Sequence, residues 1–557
     1  MSLRDQLAGF PVGQMAVISV MRFSEPLAFT SLFPYLYFMI RDFQTAPTEA
    51  DISKYSGYMA SSFAFCQFLF AVHWGRTSDR IGRKPVLILG LLGTSACLLV
   101  FGFSTNYYTA FAARAIAGAL NGNVAVLRTT IGEVCHEKRH QALGFSTLPL
   151  LFNLGSIIGP WIGGCAYFTA PPSKSPYDRD TPDILGVEDS DFLAPFRKEH
   201  PYALSNIVVT SVLWISCIIG FLFLEETNEK FKDRRDVGIE IGDYILSKFG
   251  VKTPPRGWKR SKTDEESPLL NVPERFTAGS IDSDLVKPRA GYESPDKASS
   301  SSEDDTETIG SYKQTLLKPM VRRYSQSSSD PVKREVKLTA RMCMSIASNC
   351  ILSLHNMAYN EFLPVFLAAP LHKEVLKFPL KIEGGVGLTT STIGTLFSST
   401  GIMGMLIILF IFPWIDRNLG TLQGYKFSLT IFPLVYLLVP MAVFTTREYN
   451  ANFPTWFTVF SLYLLTSLKT LAQSTGLPQA MILTHRSAEK SQRAYVNSLT
   501  LSMVALGRCL GPIAFGYIMT IGDKYQISWL SWWIMAALAF VGFIQTYFMD
   551  DSEEPNS

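Results

Sequence analysis

Charged residues are scarce in this chain, which narrows what kind of protein it can be. Of its 557 residues, 47% are hydrophobic and only 17% are Asp, Glu, Lys or Arg, whereas ordinary soluble domains carry about a quarter. The composition therefore disfavours a soluble globular protein. The formal net charge of +3 is too small to indicate a nucleic-acid-binding protein.

The chain also lacks the signatures of several other protein classes. It has no G-x-x-x-x-G-K-[ST] phosphate loop, which argues against ATP hydrolysis, and no G-x-S-x-G nucleophile turn. The eight cysteines are scattered, without the spacing of a metal site or a disulfide framework. We therefore expect no enzyme, no bound metal and no cofactor. The start does not predict a signal peptide, because the apolar run that begins near Pro11 is too long for one.

Long apolar runs are the main positive feature. A bilayer core about 30 Å thick needs about 20 apolar residues per crossing helix. Runs of this kind form two sets of six, near 12–40, 57–74, 86–103, 107–130, 142–168 and 203–224, then near 340–370, 391–413, 425–445, 454–477, 493–519 and 527–548. The runs predict an all-α integral membrane protein with about twelve transmembrane helices.

The runs divide the chain into four regions. We predict a six-helix bundle at 1–224, a linker at 225–338, a second six-helix bundle at 339–548 and a short tail at 549–557. The linker is rich in Ser, Pro and charged residues, so it cannot bury enough apolar surface to offset its ordering entropy. We expect it to be largely disordered, apart from a short interfacial helix near 237–249.

An internal repeat relates the two sets of runs. A glycine-proline pattern in the fifth run of the first set recurs 352 residues later (507 − 155) in the fifth run of the second; its members are Gly155, Gly159, Pro160 and Gly164, then Gly507, Gly511, Pro512 and Gly516. Asp79-Arg80 has a weaker echo in Asp416-Arg417, and Glu25 in Glu361. Similar gaps at three places indicate a duplicated six-helix unit. Tight packing between halves, compatible with a rocking motion, is the expected role of the glycines.

A dense basic stretch, residues 75–84, indicates the orientation. Lys and Arg resist translocation and hold a loop on the cytoplasmic side. The opposite loops also contain basic residues, so the number of Lys and Arg differs little between the short loops of the two sides. The density of basic residues in this stretch and the long serine-rich linker favour the cytoplasmic side for both. We therefore predict that both termini are cytoplasmic.

The spacing of that stretch, G-x-x-x-D-R-x-G-R-K, resembles the loop between helices 2 and 3 of major facilitator superfamily transporters. The matching residues are Gly75, Asp79, Arg80, Gly82, Arg83 and Lys84. The resemblance implies two pseudo-symmetric six-helix bundles, and a loop whose acid caps a helix of the other half and latches the outward-open state.

Two further motifs carry the same resemblance. Arg114, with Gly118 and Gly122, is similar to the basic motif of helix 4 in that family. The pattern around Pro160 is similar to the helix-5 motif typical of antiporters; its glycines are Gly155, Gly159, Gly163 and Gly164. Proton-coupled antiport is what these motifs imply.

A finer resemblance points to one branch of the family. Residues 33–42 and 224–227 are similar to the zinc-induced facilitator-like branch and its fungal relatives. Plant members of that branch carry an N-terminal Cys-rich motif and a His after the acidic helix-6 signature. Here the N-terminus has no Cys and Asn228 follows Thr227, which weighs against specificity for zinc or a zinc chelate.

Ionisable residues inside apolar runs are candidates for proton coupling or substrate contact, because a charge in the membrane costs several kcal/mol. They are Glu25, Arg114, His355, Glu361, Lys469 and Arg508.

Arg114 fits a coupling role, because a buried guanidinium could pair with Glu25 and respond to its protonation. The other candidates also have structural alternatives. Glu25 has a potential partner in Arg22, one helical turn away. His355 fits a hydrogen-bonded core residue, and Glu361 fits a solvated position in the outer half of its helix. Lys469 and Arg508 suit either an anionic substrate group or pairing with Glu361 or a helix end.

The sequence therefore favours a secondary transporter that moves a small solute by alternating access. We expect a monomer, with protons and the lipid bilayer as its other partners. The alternative is a non-transporting receptor on the same scaffold. In the linker, Glu265, Leu269 and Leu270 fit the E-x-x-x-L-L motif read by sorting adaptors, and nearby serine clusters suit a kinase. The motif favours a vacuolar or lysosomal membrane over the plasma membrane.

Overall fold

A computed structural model describes residues 9–135, 138–170, 193–232, 234–250, 338–488 and 493–549. Within these ranges the backbone is helical, with isolated bridges and no strand. The linker motif at Glu265, Leu269 and Leu270 lies outside the described residues, as does most of the linker. The predicted domain limits near 224, 338 and 548 stay predictions.

The first half contains six crossing segments. Its helices are α1 (Val12–Thr30), α2 (Leu36–Asp42), α3 (Ile52–Ile81), α4 (Arg83–Gly102), α5 (Tyr107–Leu120), α6 (Asn123–Val134), α7 (Lys138–Gly164), α8 (Ala194–Glu199) and α9 (Ala203–Phe223). α1 and α2 together make one segment, α5 and α6 make another, and α8 is too short to cross.

The second half repeats this arrangement after a short helix, α10 (Val237–Lys248). Its helices are α11 (Ala340–Ala368), α12 (Thr390–Leu406), α13 (Phe412–Leu419), α14 (Thr421–Leu438), α15 (Thr455–Arg486), α16 (Arg493–Lys524) and α17 (Leu530–Gln545). One π-helical turn, Ile407–Ile411, joins α12 to α13, so the described part of this half also has six crossing segments.

Six of these segments are long and apolar enough to cross a membrane by length and composition alone. They are Arg83–Gly102, Tyr107–Val134, Ala203–Phe223, Thr390–Leu419, Val496–Lys524 and Leu530–Phe548. Three of the remaining six segments, α1, α11 and α15, carry charged residues of the cavity described below, which lower their mean hydropathy. The all-α architecture of two six-segment halves is the one that the sequence predicted.

The basic stretch at residues 75–84 is not the loop that the sequence predicted. Its first seven residues form the last turns of α3, and α4 begins at Arg83. Gly82 alone connects the two helices, with a φ of 107°, a conformation that glycine adopts far more readily than other residues. Gly420 makes the equivalent connection between α13 and α14, with a φ of 75°. The apolar run ended near residue 74 because the helix continues beyond it with charged side chains.

The repeated glycines bring helices together in the same way in both halves. Gly159 of α7 lies against Leu27 and Thr30 of α1, and Gly511 of α16 lies against Leu354 of α11. These contacts are within a half. The last glycine of each motif contacts the other half, because Gly164 lies against Gly394 and Gly516 lies against α3. The motif therefore packs helices both inside and between the halves.

The helix that the sequence predicted near 237–249 is α10. The Asp236 side chain accepts a hydrogen bond from the Ile239 backbone N–H and so caps its first turn. Gly238 and Gly242 let α10 approach the carbonyl groups at the end of α9. Its position beside the last segment of the first half is thus fixed by close backbone packing.

Candidate functional site

A cavity of about 520 Å³ lies between the two halves. Helices α1, α3, α6 and α7 line it from the first half, and α11, α12, α15 and α16 line it from the second. Its volume is typical of sites for small organic molecules. Charged side chains from both halves line the cavity, where a protein-bounded space spares them contact with lipid.

In the first half, Glu25 forms an ion pair with Arg22 one turn before it on α1. This is the structural pairing that the sequence left open, and both residues line the cavity. Arg128 of α6 lines it as well. The sequence reasoning missed Arg128, although the rule for charges inside apolar runs applies to its run at 107–130.

Arg114 lies beside the main cavity rather than in its lining. Its guanidinium is 4.6 Å from the centre of the Phe63 ring, and a small side pocket connects Arg114 with Glu25. The Arg114 side chain is buried and interacts electrostatically with Glu361 of the second half. Arg22, rather than Arg114, is the ion-pair partner of Glu25.

In the second half, Lys469 of α15 is almost completely buried. Its ammonium group donates hydrogen bonds to the side-chain oxygens of Asn360 and Gln473. It also lies 4.5 Å from the centre of the Tyr359 ring. These partners are all neutral groups.

Glu361 of α11 is buried and lines the cavity, so it is not a solvated outer residue. Arg508 of α16 lines the cavity too, and it interacts electrostatically with Glu361 and Glu25. The cavity therefore brings together Glu25, Glu361, Lys469 and Arg508 from widely separated parts of the chain.

His355 is set back from the cavity, in the core of the second half. It is fully buried, and its Nδ1 shares a hydrogen bond of 2.9 Å with the Tyr436 hydroxyl. Its ring packs edge-on against Phe432. The geometry matches the hydrogen-bonded core residue that was the alternative to a proton relay.

The two halves contact each other at one end of the cavity, which we call the far end. Lys524 of α16 donates to Asp51 of the first half at 2.9 Å, and Thr520 donates to the Ala50 carbonyl group at 2.9 Å. His372 lies 3.7 Å from Glu49. Burial would raise the pKa of the Asp51 carboxyl, but hydrogen bonds from Thr48, Lys524 and Lys54 lower it below its usual value.

Backbone packing closes the far end as well. Gly57 of α3 lies so close to α16 that a methyl group there would be 2.3 Å from the Pro512 carbonyl oxygen. The Tyr58 and Tyr517 hydroxyls share a hydrogen bond in the same region. Asp51 and Lys524, which join the halves at the far end, belong to no sequence motif. The sequence therefore did not predict their contact.

At the opposite end, which carries residues 75–84, the motif charges contact groups of their own half. Arg83 donates to Asp79 at 2.6 Å and to Glu133 at 3.0 Å. Glu226 accepts from the backbone N–H groups of Arg83 and Lys84, at 2.8 and 3.2 Å, and so caps the start of α4. The loop motif and the acidic helix-6 signature therefore form one cluster.

Asp79 itself is the most exposed member of this cluster. Its side chain is 65% exposed, and its partner is Arg83 rather than a helix of the second half. Lys84 forms an ion pair with Asp236 at 2.7 Å, which ties the motif to the N-cap of α10. The latch contact that the family resemblance implies is not made in this conformation by the described residues.

Residues 136–140 read H-E-x-x-H, the pattern of a helical zinc-protease motif. Residues 136 and 137 lie outside the described residues, and helix α7 begins at Lys138. Among the described residues, no group of three His, Cys, Asp or Glu side chains is placed to hold a metal ion.

Comparison with known proteins gives the family. The model of the Major Facilitator Superfamily matches residues 18–235 and 346–557. A multidrug transporter of that superfamily, mfsB of Aspergillus fumigatus, is 32% identical over 99% of this chain and 85% of its own length. ZINC INDUCED FACILITATOR-LIKE 1 of Arabidopsis thaliana is 24% identical over 93% of this chain and 86% of its own.

Solved structures agree on the fold. The nucleoside transporter NupG superposes with a TM-score of 0.55 at 12% identity, over 97% of this chain and 99% of NupG. The family model and the relatives confirm the family predicted from the loop and helix-5 motifs, and the branch predicted from residues 33–42 and 224–227. The relatives are transporters, in agreement with the prediction that the chain is a transporter and not an enzyme.

Proposed function

Because this chain belongs to the Major Facilitator Superfamily and is a multi-pass integral membrane protein, we propose that it carries a small solute across the membrane by proton-coupled antiport. One observation supports this most strongly. Among the described residues, a cavity lies between two related halves, both halves supply its charged groups, and cross-half contacts close it at the far end. A carrier that alternates its access needs this arrangement.

The conformation also suggests which state of the carrier is present. The far-end contacts join the halves, while Asp79 is exposed and bonded within its own half. If the end with residues 75–84 faces the cytoplasm, this is the inward-open state. Opening the far end would require the pair Asp51–Lys524 to separate, and Asp79 would then engage the second half.

Proton coupling rests on the two acids that line the cavity among the described residues. Glu25 is held by Arg22, whereas Glu361 is buried and has Arg114 and Arg508 within electrostatic reach. A carboxyl group in a desolvated site can exchange a proton when a neighbouring cation moves away. We therefore assign the main proton-carrying role to Glu361, and to Glu25 a supporting role through its pair with Arg22.

A flux assay tests the function. The purified chain is reconstituted into proteoliposomes and screened against a broad mixture of metabolites and dyes, with and without an imposed pH gradient. We expect at least one solute to move only when the gradient is present. Binding of a solute without flux in any gradient would favour the receptor alternative and overturn the transporter proposal.

The membrane to which the protein is delivered is a separate proposal. The motif formed by Glu265, Leu269 and Leu270 supports delivery to a vacuolar or lysosomal membrane. Replacing both leucines with alanine in a fluorescently tagged chain should shift the protein to the cell surface. Unchanged delivery in that variant would remove the motif from the sorting mechanism.

A further inference from the structure

The lining of the central cavity has more positive than negative side chains. Among the described residues, Arg22, Arg128, Lys469 and Arg508 line it together with two acids, Glu25 and Glu361. Counted as ionised groups, these give a surplus of two positive charges (4 − 2 = 2). Of the four cations only Lys469 is buried, and a buried charge needs a partner of opposite sign.

The surplus can be traced to particular residues. Arg22 has Glu25 as its ion-pair partner, and Arg508 is attracted by Glu361. Lys469 contacts only neutral side chains among its described hydrogen bonds and ring contacts. Arg128 is attracted by Glu25 but repelled by Arg22. Lys469 is therefore the cation with the clearest need for a negative partner.

The surroundings of Lys469 suit an anionic group on an organic body. Tyr359 lines the cavity beside Lys469, and its buried hydroxyl, which can donate to an anion, has no hydrogen-bond partner among the described residues. Asn356 also lines the cavity, but its unpartnered atom is the amide oxygen, which can only accept from a donor on the solute. Phe29, Phe63 and Phe397 also line the cavity, and aromatic rings favour an apolar or aromatic body.

We propose that the transported solute is an organic anion with an apolar or aromatic body, and that its anionic group binds beside Lys469. The inference rests on the proposed transport function and adds the chemical class of the substrate. Arg128 contributes a second positive charge from the first half. The aromatic side chains hold the body of the solute, and the ammonium group of Lys469 selects for its charge.

Binding measurements with matched probes test the proposal. The full-length protein in detergent is titrated with carboxylate, carboxamide and aminomethyl derivatives of naphthalene, biphenyl and indole, and dissociation constants are measured by thermophoresis. At least one carboxylate should bind about ten- to hundredfold more tightly than its amide, the range expected of a charge-assisted hydrogen bond. The aminomethyl derivatives should bind most weakly.

Variants locate the charge preference. Lys469→Gln should remove most of the carboxylate advantage while the amide binds as before, and Lys469→Arg should restore part of it. Lys426→Gln is the matched control, since Lys426 also lies over a tyrosine ring, at 4.7 Å from the centre of Tyr547, but outside the cavity lining. Size-exclusion profiles confirm that each variant is folded.

The outcomes separate this proposal from transport itself. If no carboxylate in any of the three series binds more tightly than its amide, or if the advantage survives Lys469→Gln, the anion proposal is overturned. Flux of a neutral or cationic solute in the proteoliposome screen would overturn it too, while leaving the transport function intact. Carboxylate binding without any flux would instead contradict the transport function alone.

Discussion

Lys524 and Asp51, which are 473 residues apart in the chain, form an ion pair of 2.9 Å across the two halves. Asp51 also accepts from Lys54 of its own half at 3.1 Å. The pair with Lys524 links the halves, whereas the pair with Lys54 lies within one half, although the Lys54 ammonium group also lies 5.9 Å from the centre of the Tyr517 ring in the second half. This difference provides a matched pair of substitutions for testing what holds the far end closed.

Asp51→Asn should loosen the far end, because it removes the charge that attracts Lys524. Leu396 lines the cavity and is buried, so a Leu396→Cys substitution in a chain without other reactive cysteines reports access from outside. We expect an impermeant thiol reagent to label this cysteine several times faster in Asp51→Asn. The exchange Asp51→Lys with Lys524→Asp should restore slow labelling.

Lys54→Gln is the control for that measurement, since it removes a partner of Asp51 but leaves the cross-half ion pair of Asp51 with Lys524 in place; it also removes the longer contact of Lys54 with the Tyr517 ring, at 5.9 Å. Its labelling rate should stay near that of the unaltered chain. Equal acceleration in Lys54→Gln and Asp51→Asn would show that the cross-half pair does not hold the far end closed.

The pH dependence of far-end closure follows from the lowered pKa of Asp51. A carboxyl with a depressed pKa contributes its stabilisation fully above its ordinary pKa of about 3.9 and loses it as the pH falls through the lowered value. Labelling of Leu396→Cys should therefore be unaffected by this carboxyl between pH 8 and 5. If Asp51→Asn abolished a pH-dependent change within that window, Asp51 would be titrating there, against expectation.

Asp79→Asn should slow turnover more than it weakens solute binding. In the present conformation Asp79 is exposed and bonded to Arg83, so its charge is not needed to form the cavity. Its expected role is in the outward-open state. We expect a severalfold lower rate of gradient-driven flux with an unchanged dissociation constant.

Arg76→Gln is the matched control for Asp79→Asn, because Arg76 is an exposed charge on the same helical end that lies outside the family motif. It should transport at the normal rate. Normal turnover in Asp79→Asn would remove the latch role, and an equal defect in both variants would point to a general effect of charge at this end.

Gly163→Ala and Gly507→Ala should differ sharply, although Gly163 belongs to the helix-5 motif and Gly507 to the repeat of that motif in the second half. A methyl group at Gly163 would lie 1.7 Å from the Ser31 carbonyl oxygen, whereas one at Gly507 would lie 3.8 Å from its nearest neighbour. Overpacking of this kind typically costs about 1–3 kcal/mol. We expect Gly163→Ala to lower the temperature of aggregation in detergent, and Gly507→Ala to leave it nearly unchanged. The reverse order would contradict the close approach of α7 to α1.

Much of this arrangement could be predicted from the sequence because membrane burial restricts charges so strongly. Glu25, Glu361, Lys469 and Arg508 are rare charges inside apolar runs, and the structure places all of them at one cavity. The same rule would have found Arg128. The rule did not distinguish His355 from the cavity residues. Burial in a packed core and burial at a cavity give the same sequence pattern, an ionisable residue within an apolar run.

Other features could not be predicted, for physical reasons. Residues 75–81 are helical although they are polar, because a helix that extends past the bilayer no longer needs apolar side chains. The contact between Asp51 and Lys524 depends on which state the carrier occupies. A sequence that encodes two states with different contacts does not show which one is populated.

Glu361→Gln should uncouple transport from protons while leaving the solute site intact. The glutamine keeps the shape of the side chain but cannot exchange a proton, and Glu361 is the cavity acid that is not held in an ion pair with an adjacent residue. In proteoliposomes, flux driven by a pH gradient should fall at least tenfold, whereas exchange of labelled for unlabelled solute at equal pH should continue. Glu25→Gln, which frees Arg22, should impair both assays because it disturbs the cavity as well as its charge. If Glu361→Gln kept gradient-driven flux and Glu25→Gln alone lost it, the proton-carrying role would belong to Glu25.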